Sequence, residues 1–278
     1  MQKPTERITS RQNALLSRVT SLAERKYRRR EGLFRFDGRK LFLEALQKGL
    51  PLHAVLLRES EADEVCASAA EYTLPSDCRA VILPDDLFDR ISEEKSPDGV
   101  ICVSKTLDKI HKIITIDKWT AFSGALAKGH TMLLESVRDP GNLGTVIRCA
   151  AAFGVANLVL SADCADLYHA RTVRAAMGTL FTQRILIVED TARAVAELAA
   201  RGDVYAAALD ETAQRLGAVR FGENDTVVVG NEGHGISAQV LQACTHKVYI
   251  PMCAGVESLN AGMAASVLLW ELGRQNLT

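Results

Sequence analysis

Three short polar segments hold most of the side chains in this sequence that could do chemistry together. Asp139-Pro140-Gly141-Asn142-Leu143-Gly144 follows the apolar run TMLLES, with Arg148 a turn further on. Asn231-Glu232-Gly233-His234-Gly235-Ile236-Ser237 follows TVVVG, and Cys253-Ala254-Gly255-Val256-Glu257-Ser258-Leu259-Asn260 follows KVYIPM. Asn, Glu and Ser supply directed hydrogen bonds, Arg supplies a permanent charge on a planar fork of donors, and glycine lets backbone approach a bound molecule closely. Each segment also has a plain structural account. D-P-G-N is a good β-turn, Asn142 or Ser258 can serve as a helix N-cap, and GNEGHG can be a flexible connection. Their placement separates them from ordinary loops, because all three stand at the carboxyl ends of strands, where open α/β sheets hold ligands.

The patterns also exclude chemistries. Gly230, Gly233 and Gly235 run in the order G-x-x-G-x-G, and no G-x-G-x-x-G or Walker A segment opens a helix, which disfavours an ordinary dehydrogenase or a P-loop enzyme. Seven cysteines include no C-x-x-C pair and no His cluster at ligand spacing, so no metal is expected and reduced thiols in a cytoplasm are the simplest account. No apolar run approaches the ~20 residues that span a bilayer, and the polar start MQKPTERITS lacks the apolar core of an export signal, so no membrane partner is expected.

The elements that must position the loops fall into two α/β series. Ser10 is placed as the cap of a helix with Leu15, Leu16, Val19 and Leu22 on one stripe, running through KYRRRE to Gly32. Strands around LFRFD, HAVLLRE, RAVILP and GVICVS, separated by helices, then make a small domain over residues 1–104. Residues 105–128 have weaker periodicity and are expected to connect it to a second domain over 129–278. That domain alternates TMLLES, NLVLS, RILIV, VYAAALD, TVVVG and KVYIPM with helices, the last from about Ser258 to Arg274. Such apolar strands suit a parallel sheet covered on both faces.

Charge is divided unevenly. Residues 1–40 hold twelve Lys and Arg against four acids, a net of +8 that leaves −9 on the other 238 residues. A charge run is often only a solvated helix face, but a basic patch on an acidic body is also the footprint of a polyanion. Arg25, Lys26, Arg28, Arg29, Arg30 and Arg35 are the candidate RNA contacts, and Tyr27, Phe34 and Phe36 interleave with them as possible stacking surfaces.

With these residues in view, DPGNLGTVIRCAAAFG, VVVGNEGHGIS and IPMCAGVESLNAGMAASVLLWEL resemble, in order and spacing, the three motifs of the SpoU (TrmH) family of SPOUT methyltransferases. ITSRQNALLSRVTSLAERKYRRREGLFRFDGRKLFLEAL and ISEEKSPDGVICV resemble that family's substrate-binding domain, itself similar to a small ribosomal-protein fold. The resemblance implies a C-terminal domain with a deep trefoil knot, a homodimer, and transfer of a methyl group from S-adenosylmethionine to a ribose 2′-hydroxyl of structured RNA. It puts Arg148, Asn142, Glu232, Ser258 and Asn260 around the reacting hydroxyl, and Leu209, Gly230, Asn231, Glu232, Gly235, Ile250, Met252, Ser258 and Leu259 around the methyl donor. The two-domain layout favours ribosomal RNA over transfer RNA. One departure is Ala261-Gly262, where the family often has Val-Ser. The alternatives are a base methyltransferase, against which the DPGN and SLN segments speak, and a noncatalytic RNA-binding relative, which would not need the five polar residues.

Overall fold

The computed structural model describes residues 1–110, 113–256 and 258–274. The chain forms two compact units, Met1–Ile110 with Tyr168–Thr182, and His111–Leu167 with Gln183–Thr278.

With elements numbered along the chain, the first unit contains strands β1 (Leu33–Asp37), β2 (Leu52–Arg58), β3 (Arg79–Leu83) and β4 (Val100–Lys105) in the order β1-β4-β2-β3. Only the β2–β3 pair is parallel; β4 runs antiparallel to both of its neighbours. Helices α1 (Ala14–Ser21), α2 (Arg25–Glu31), α3 (Arg39–Gln47), α4 (Ala62–Ser68) and α5 (Asp85–Ile91) accompany the sheet, and α8 (Ala170–Ala176) joins them from later in the chain. Leu15, Leu16, Val19 and Leu22 are buried as their stripe requires, in one cluster with Leu56, Val81 and Phe88. The helix they mark is two helices. Asn13, not Ser10, caps α1, its Oδ1 accepting from the Leu15 N–H at 2.9 Å, and the chain breaks before α2 starts at Arg25.

That break corrects part of the basic face. Arg28 is buried, and its Nη1 donates to the Leu22 and Ala23 carbonyls at 2.7 and 2.6 Å, where the end of α1 leaves acceptors open. Arg35 is buried too, forking onto Asp37 at 2.7 and 2.9 Å and donating to the Ile91 carbonyl at 2.9 Å. Both guanidinium groups are structural and do not face a polyanion. Phe34 and Phe36 lie in the core against each other, with Tyr168 beside the first and Phe181 beside the second, so neither offers a face to bases. Arg25, Lys26, Arg29 and Arg30 remain exposed on α2, with Tyr27 half-buried among them.

The second unit is built on one eight-stranded sheet in the order β10-β12-β9-β11-β6-β7-β8-β5, with every pairing parallel. The strands are β5 (Ile113–Thr115), β6 (Thr131–Leu134), β7 (Asn157–Ser161), β8 (Arg184–Val188), β9 (Val204–Ala207), β10 (Gln214–Arg215), β11 (Thr226–Val229) and β12 (His246–Tyr249). Residues 105–128, read as a connection, thus supply an edge strand, β5. The central β6, β7 and β11 are buried along their whole length, which explains their unbroken apolar character. The helices are α6 (Phe122–Ala125), α7 (Pro140–Ala152), α9 (Thr191–Ala199), α10 (Ala238–Ala243) and α11 (Ala261–Gly273), and α11 packs along α7. Among the described residues no helix is long and apolar enough to cross a membrane.

The two kinds of arginine in the first unit should separate in a stability measurement. Arg35→Ala strands a carboxylate whose side chain is only 7% exposed, and should lower the unfolding free energy in urea by about 3 kcal/mol. Arg29→Ala, on the exposed face, should stay within about 0.5 kcal/mol of the parent. Equal effects would contradict this division.

Candidate active site

The first loop leaves β6 through Ser136, a non-glycine residue at φ 57°. Three bonds hold it there. The Ser136 N–H donates to Ser161 Oγ at 2.8 Å, its hydroxyl donates to Asp163 Oδ2 at 2.6 Å, and its carbonyl accepts from Asn231 Nδ2 at 2.7 Å. Burial works against the charge of Asp163. The hydroxyls of Ser136 and Ser161 and the Arg138 guanidinium outweigh it and hold the carboxyl below its usual range. D-P-G-N is not a β-turn in the fold but the first turn of α7. Asp139 is the N-cap, accepting from the Asn142 N–H at 2.8 Å, and Pro140 takes the opening position, where its missing N–H costs nothing. Asn142 is therefore not the cap, and its side chain is free to reach across the loops. Its Nδ2 donates to Glu232 Oε1 at 2.9 Å.

Glu232 comes from the second loop, which Asn231 closes. Asn231 and Gly235 exchange backbone hydrogen bonds at 3.0 Å in both directions, while Asn231 Oδ1 accepts from the N–H groups of Gly233 and His234. A Cβ at Gly230 would run into the Gly235 backbone, so only glycine fits there. At the exit, the Ser237 N–H and hydroxyl both donate to the Glu135 carboxylate, at 2.8 and 2.7 Å. Gly230, Asn231 and Gly235 thus shape the loop, and Glu232 projects from it into solvent.

The third loop delivers Asn260. This residue, not Ser258, caps α11, its Oδ1 accepting from the N–H groups of Gly262 and Met263 at 3.0 and 3.2 Å. A Cβ on Gly262 would sit 3.0 Å from Asn142 Oδ1 and 3.2 Å from Asn260 Oδ1, so the two asparagines flank one backbone position. Asn142, Glu232 and Asn260 form one cluster, one residue from each loop.

Beside it lies a cleft of about 170 Å³ whose lining includes Leu209, Ile250, Met252, Ser258 and Leu259, with Leu268 of α11. Five of the nine residues expected around a methyl donor therefore share one space. Gly230, Asn231, Glu232 and Gly235 do not line it. Its mostly apolar walls, with the Ser258 hydroxyl among them, suit the planar adenine of S-adenosylmethionine, whose rings bind by their faces, so the residues present fit the donor. Arg148 stands apart: it is exposed on α7, and its side chain makes no hydrogen bond or ion pair among the described residues. Sequence reasoning missed Ser136, Asp163 and Glu135. The first two form a bond between residues 27 apart, which no local pattern announces, and Glu135 is hidden at the end of an apolar strand.

A parallel sheet with three polar loops gathered over its carboxyl ends, which together supply a polar cluster and a cleft, is the architecture of an α/β protein with a ligand site at that edge. The family comparison places it further. Residues 129–270 match the model of the SpoU rRNA methylase family and residues 13–102 match the MRM3-like substrate-binding domain, and the chain belongs to the SpoU family. It is 29% identical over 272 residues to the Bacillus subtilis 23S rRNA (guanosine(2553)-2′-O)-methyltransferase RlmP, covering 96% of this chain and 99% of that one. A solved protein of the TrmH family of RNA methyltransferases from Porphyromonas gingivalis superposes with TM-score 0.77 at 30% identity, covering 96% of this chain and 100% of that one. AviRb from Streptomyces viridochromogenes, solved with AdoMet, shares the fold with TM-score 0.78 at 24% identity, covering 95% and 98%.

Gly230→Ala should destabilise the protein by about 1–3 kcal/mol and weaken S-adenosylmethionine binding in calorimetry, since the loop beneath the cluster must open. Gly233→Ala, whose added methyl would meet only ordinary contact at 3.4 Å, should leave both near the parent values. Parent-like behaviour of both variants would show that the loop's closure is not what the site rests on.

Proposed function

We propose that this protein transfers the methyl group of S-adenosylmethionine to a ribose 2′-hydroxyl of ribosomal RNA. The observation that carries the reading is the convergence of Asn142, Glu232 and Asn260 beside an apolar cleft. The 29%-identical relative that acts on a guanosine 2′-hydroxyl of 23S rRNA supports the ribosomal choice, and transfer RNA is the alternative to test beside it.

When bound, the donor supplies an electrophilic methyl group on a sulfonium. The chain has to bring the 2′-oxygen in line with it and tolerate the charge that develops as the hydroxyl proton leaves. Positioning can contribute a large part of the ~7–11 kcal/mol available from holding two reactants at near-attack geometry. Asn142 and Asn260 are fixed by caps and by Glu232, so they can orient the ribose without reorganising. Arg148 is unsuited to act as a base, because a guanidinium is a permanent cation with five donors and no acceptor for the proton. Its role in this reading is electrostatic, stabilising the developing alkoxide and gripping the adjacent phosphate. Ser258, Leu259, Ile250, Met252 and Leu209 hold the donor, with Gly230, Asn231, Glu232 and Gly235 shaping the neighbouring loop.

The same reading includes RNA affinity from residues 1–104 through Arg25, Lys26, Arg29 and Arg30, a catalytic domain over 129–278 joined by 105–128, a trefoil knot near the C-terminus, and a cytoplasmic location beside ribosomal RNA. It also includes a homodimer. Met263, Val267 and Trp270 of α11 are 62%, 40% and 49% exposed, and their i, i+4, i+7 spacing makes one apolar stripe. Such a stripe suits a self-complementary contact about a two-fold axis.

Two measurements test this. Arg148→Ala should lower methylation of ribosomal RNA by about a hundredfold or more while donor affinity and thermal stability change little. Arg148→Lys should rescue poorly, because a point charge does not reproduce the fork. Near-normal turnover of Arg148→Ala would remove the residue from the mechanism. In light scattering, the parent should be a dimer at micromolar concentration and Val267→Glu a monomer. A monomeric parent would end the dimer reading.

A further inference from the structure

The first unit carries a cavity that the reaction does not use. It lies among α1, α2 and α5, has a volume of about 430 Å³, and opens to solvent. That volume falls within the roughly 300–1,000 Å³ of ordinary small-ligand clefts. Its walls differ in character. Leu16, Leu87 and Ile91 make an apolar floor, Ser17 and Thr20 present hydroxyls from α1, and Tyr27 contributes a half-buried ring from α2. Arg11 and Arg90 bring cations to the lining. Arg90 makes no ion pair among the described residues, and Arg11 reaches only Asp86, at 3.6 Å with both groups largely exposed.

Beyond the groove, α2 continues the positive field. Lys26 and Arg30, paired with Glu24 and Glu31 at 2.9 Å each, hold their charges 4.8 Å from the centroid of the Tyr27 ring, and Arg29 is exposed next to them without an ion pair among the described residues. An apolar floor with an aromatic ring, hydroxyls along one wall and exposed arginines, one of them loosely paired and one without an ion pair among the described residues, is what an unpaired nucleotide requires. Its base face needs apolar and aromatic contact, its edge needs hydrogen-bonding partners, and its phosphates need cations. A paired nucleotide has its base edge committed and its faces stacked, so it cannot enter. Glu24, also in the lining, is paired with Lys26 at 2.9 Å, and its carboxylate can accept from an exocyclic amine without repelling the strand as a free charge would.

We infer that the α1–α2–α5 groove is a binding site for one unstacked nucleotide of the RNA substrate, with its base on Tyr27 and Ile91 above the buried Leu16 and Leu87, and its flanking phosphates on Arg11 and Arg90. The site rests on the proposed RNA function and extends it, by giving the first unit a means of selecting single-stranded over paired segments. It also changes which basic residues matter: two of those expected from the charge run are spent in the core, while Arg90, fifty residues beyond that run, faces the ligand.

The test uses the full chain and two RNA probes of about 20 nucleotides, a hairpin with an unpaired loop and a fully paired duplex. The parent should prefer the hairpin. Thr20→Trp, an exposed position whose new ring would occupy the groove, should weaken hairpin binding by about tenfold or more and leave duplex binding nearly unchanged. Arg11→Glu with Arg90→Glu should weaken hairpin binding too and reduce the slope of log affinity against log salt by about 0.7 for each phosphate no longer neutralised. Donor affinity and the urea midpoint should not move in any variant. Unchanged hairpin binding in Thr20→Trp, or equal losses on both probes, would overturn the groove as a nucleotide site while leaving the RNA reading intact. A parent that binds neither these probes nor ribosomal RNA would bring down the RNA reading itself.

Discussion

The close approach of α11 to α7 is the constraint on which the rest of the site depends. Gly262 sits where any side chain would press on Asn142 Oδ1, and Gly273, at the other end of the helix, faces the Phe153 carbonyl with no room for a Cβ. Between them Ser266 Oγ donates to the Gly262 carbonyl at 2.6 Å and meets Cys149 Sγ at 3.3 Å, so the seam is small and polar where it needs to be. This packing places the end of the third loop against the start of the first helix. It also bears on the departure at Ala261-Gly262: a side chain at Gly262 would ask the Asn142 side chain, the group that bonds Glu232, to give by a few tenths of an ångström.

A second regularity follows. In each loop one polar residue is spent on the backbone so that another is released. Asp139 caps α7 and frees Asn142; Asn231 closes its loop with both backbone and side chain and frees Glu232; Asn260 caps α11 and leaves Ser258 to the cleft. Ser136 sits in a backbone region that ordinarily costs of order 1–3 kcal/mol, and bonds to residues of other segments hold it there. The site is rigid for reasons that lie in the loops themselves, as electrostatic preorganisation requires.

The alternation of strands and helices, the parallel sheet and the positions of the three loops were legible in the sequence, because buried parallel strands read as apolar runs and glycine-rich polar segments break them. Which residue caps which helix was not. Asp139 and Asn142 both cap well, as do Ser258 and Asn260, and only the tertiary partner across the loops decides which is released. The charge run misled in a similar way. Arg28 and Arg35 look like their neighbours in a string of cations, yet a helix end needing donors and a buried Asp37 claim them. Phe34 and Phe36 alternate with charge as stacking residues would, but they belong to a strand buried on both faces. Edge strand β5 was invisible because three residues carry too little pattern.

The loops over the sheet are rich in carboxylates, and several of them are held by bonds within the unit. Glu135 is taken up by Ser237, Asp163 by Ser136, Ser161 and Arg138, and Glu232 by Asn142. These carboxylates thus serve the bonding of the loops while keeping their charge, and the cations near them in sequence, Arg138 and Arg148, are exposed. A site of this kind has little attraction of its own for a polyanion. In the proposed reading, affinity drawn from the basic helix and groove of the first unit supplies what it lacks, and binding energy gained on groups that do not react can then be used to orient those that do. Separating the two has a physical advantage: cations dense enough to hold RNA tightly at the ribose would stabilise the bound substrate as much as the transition state, and so would not speed the transfer.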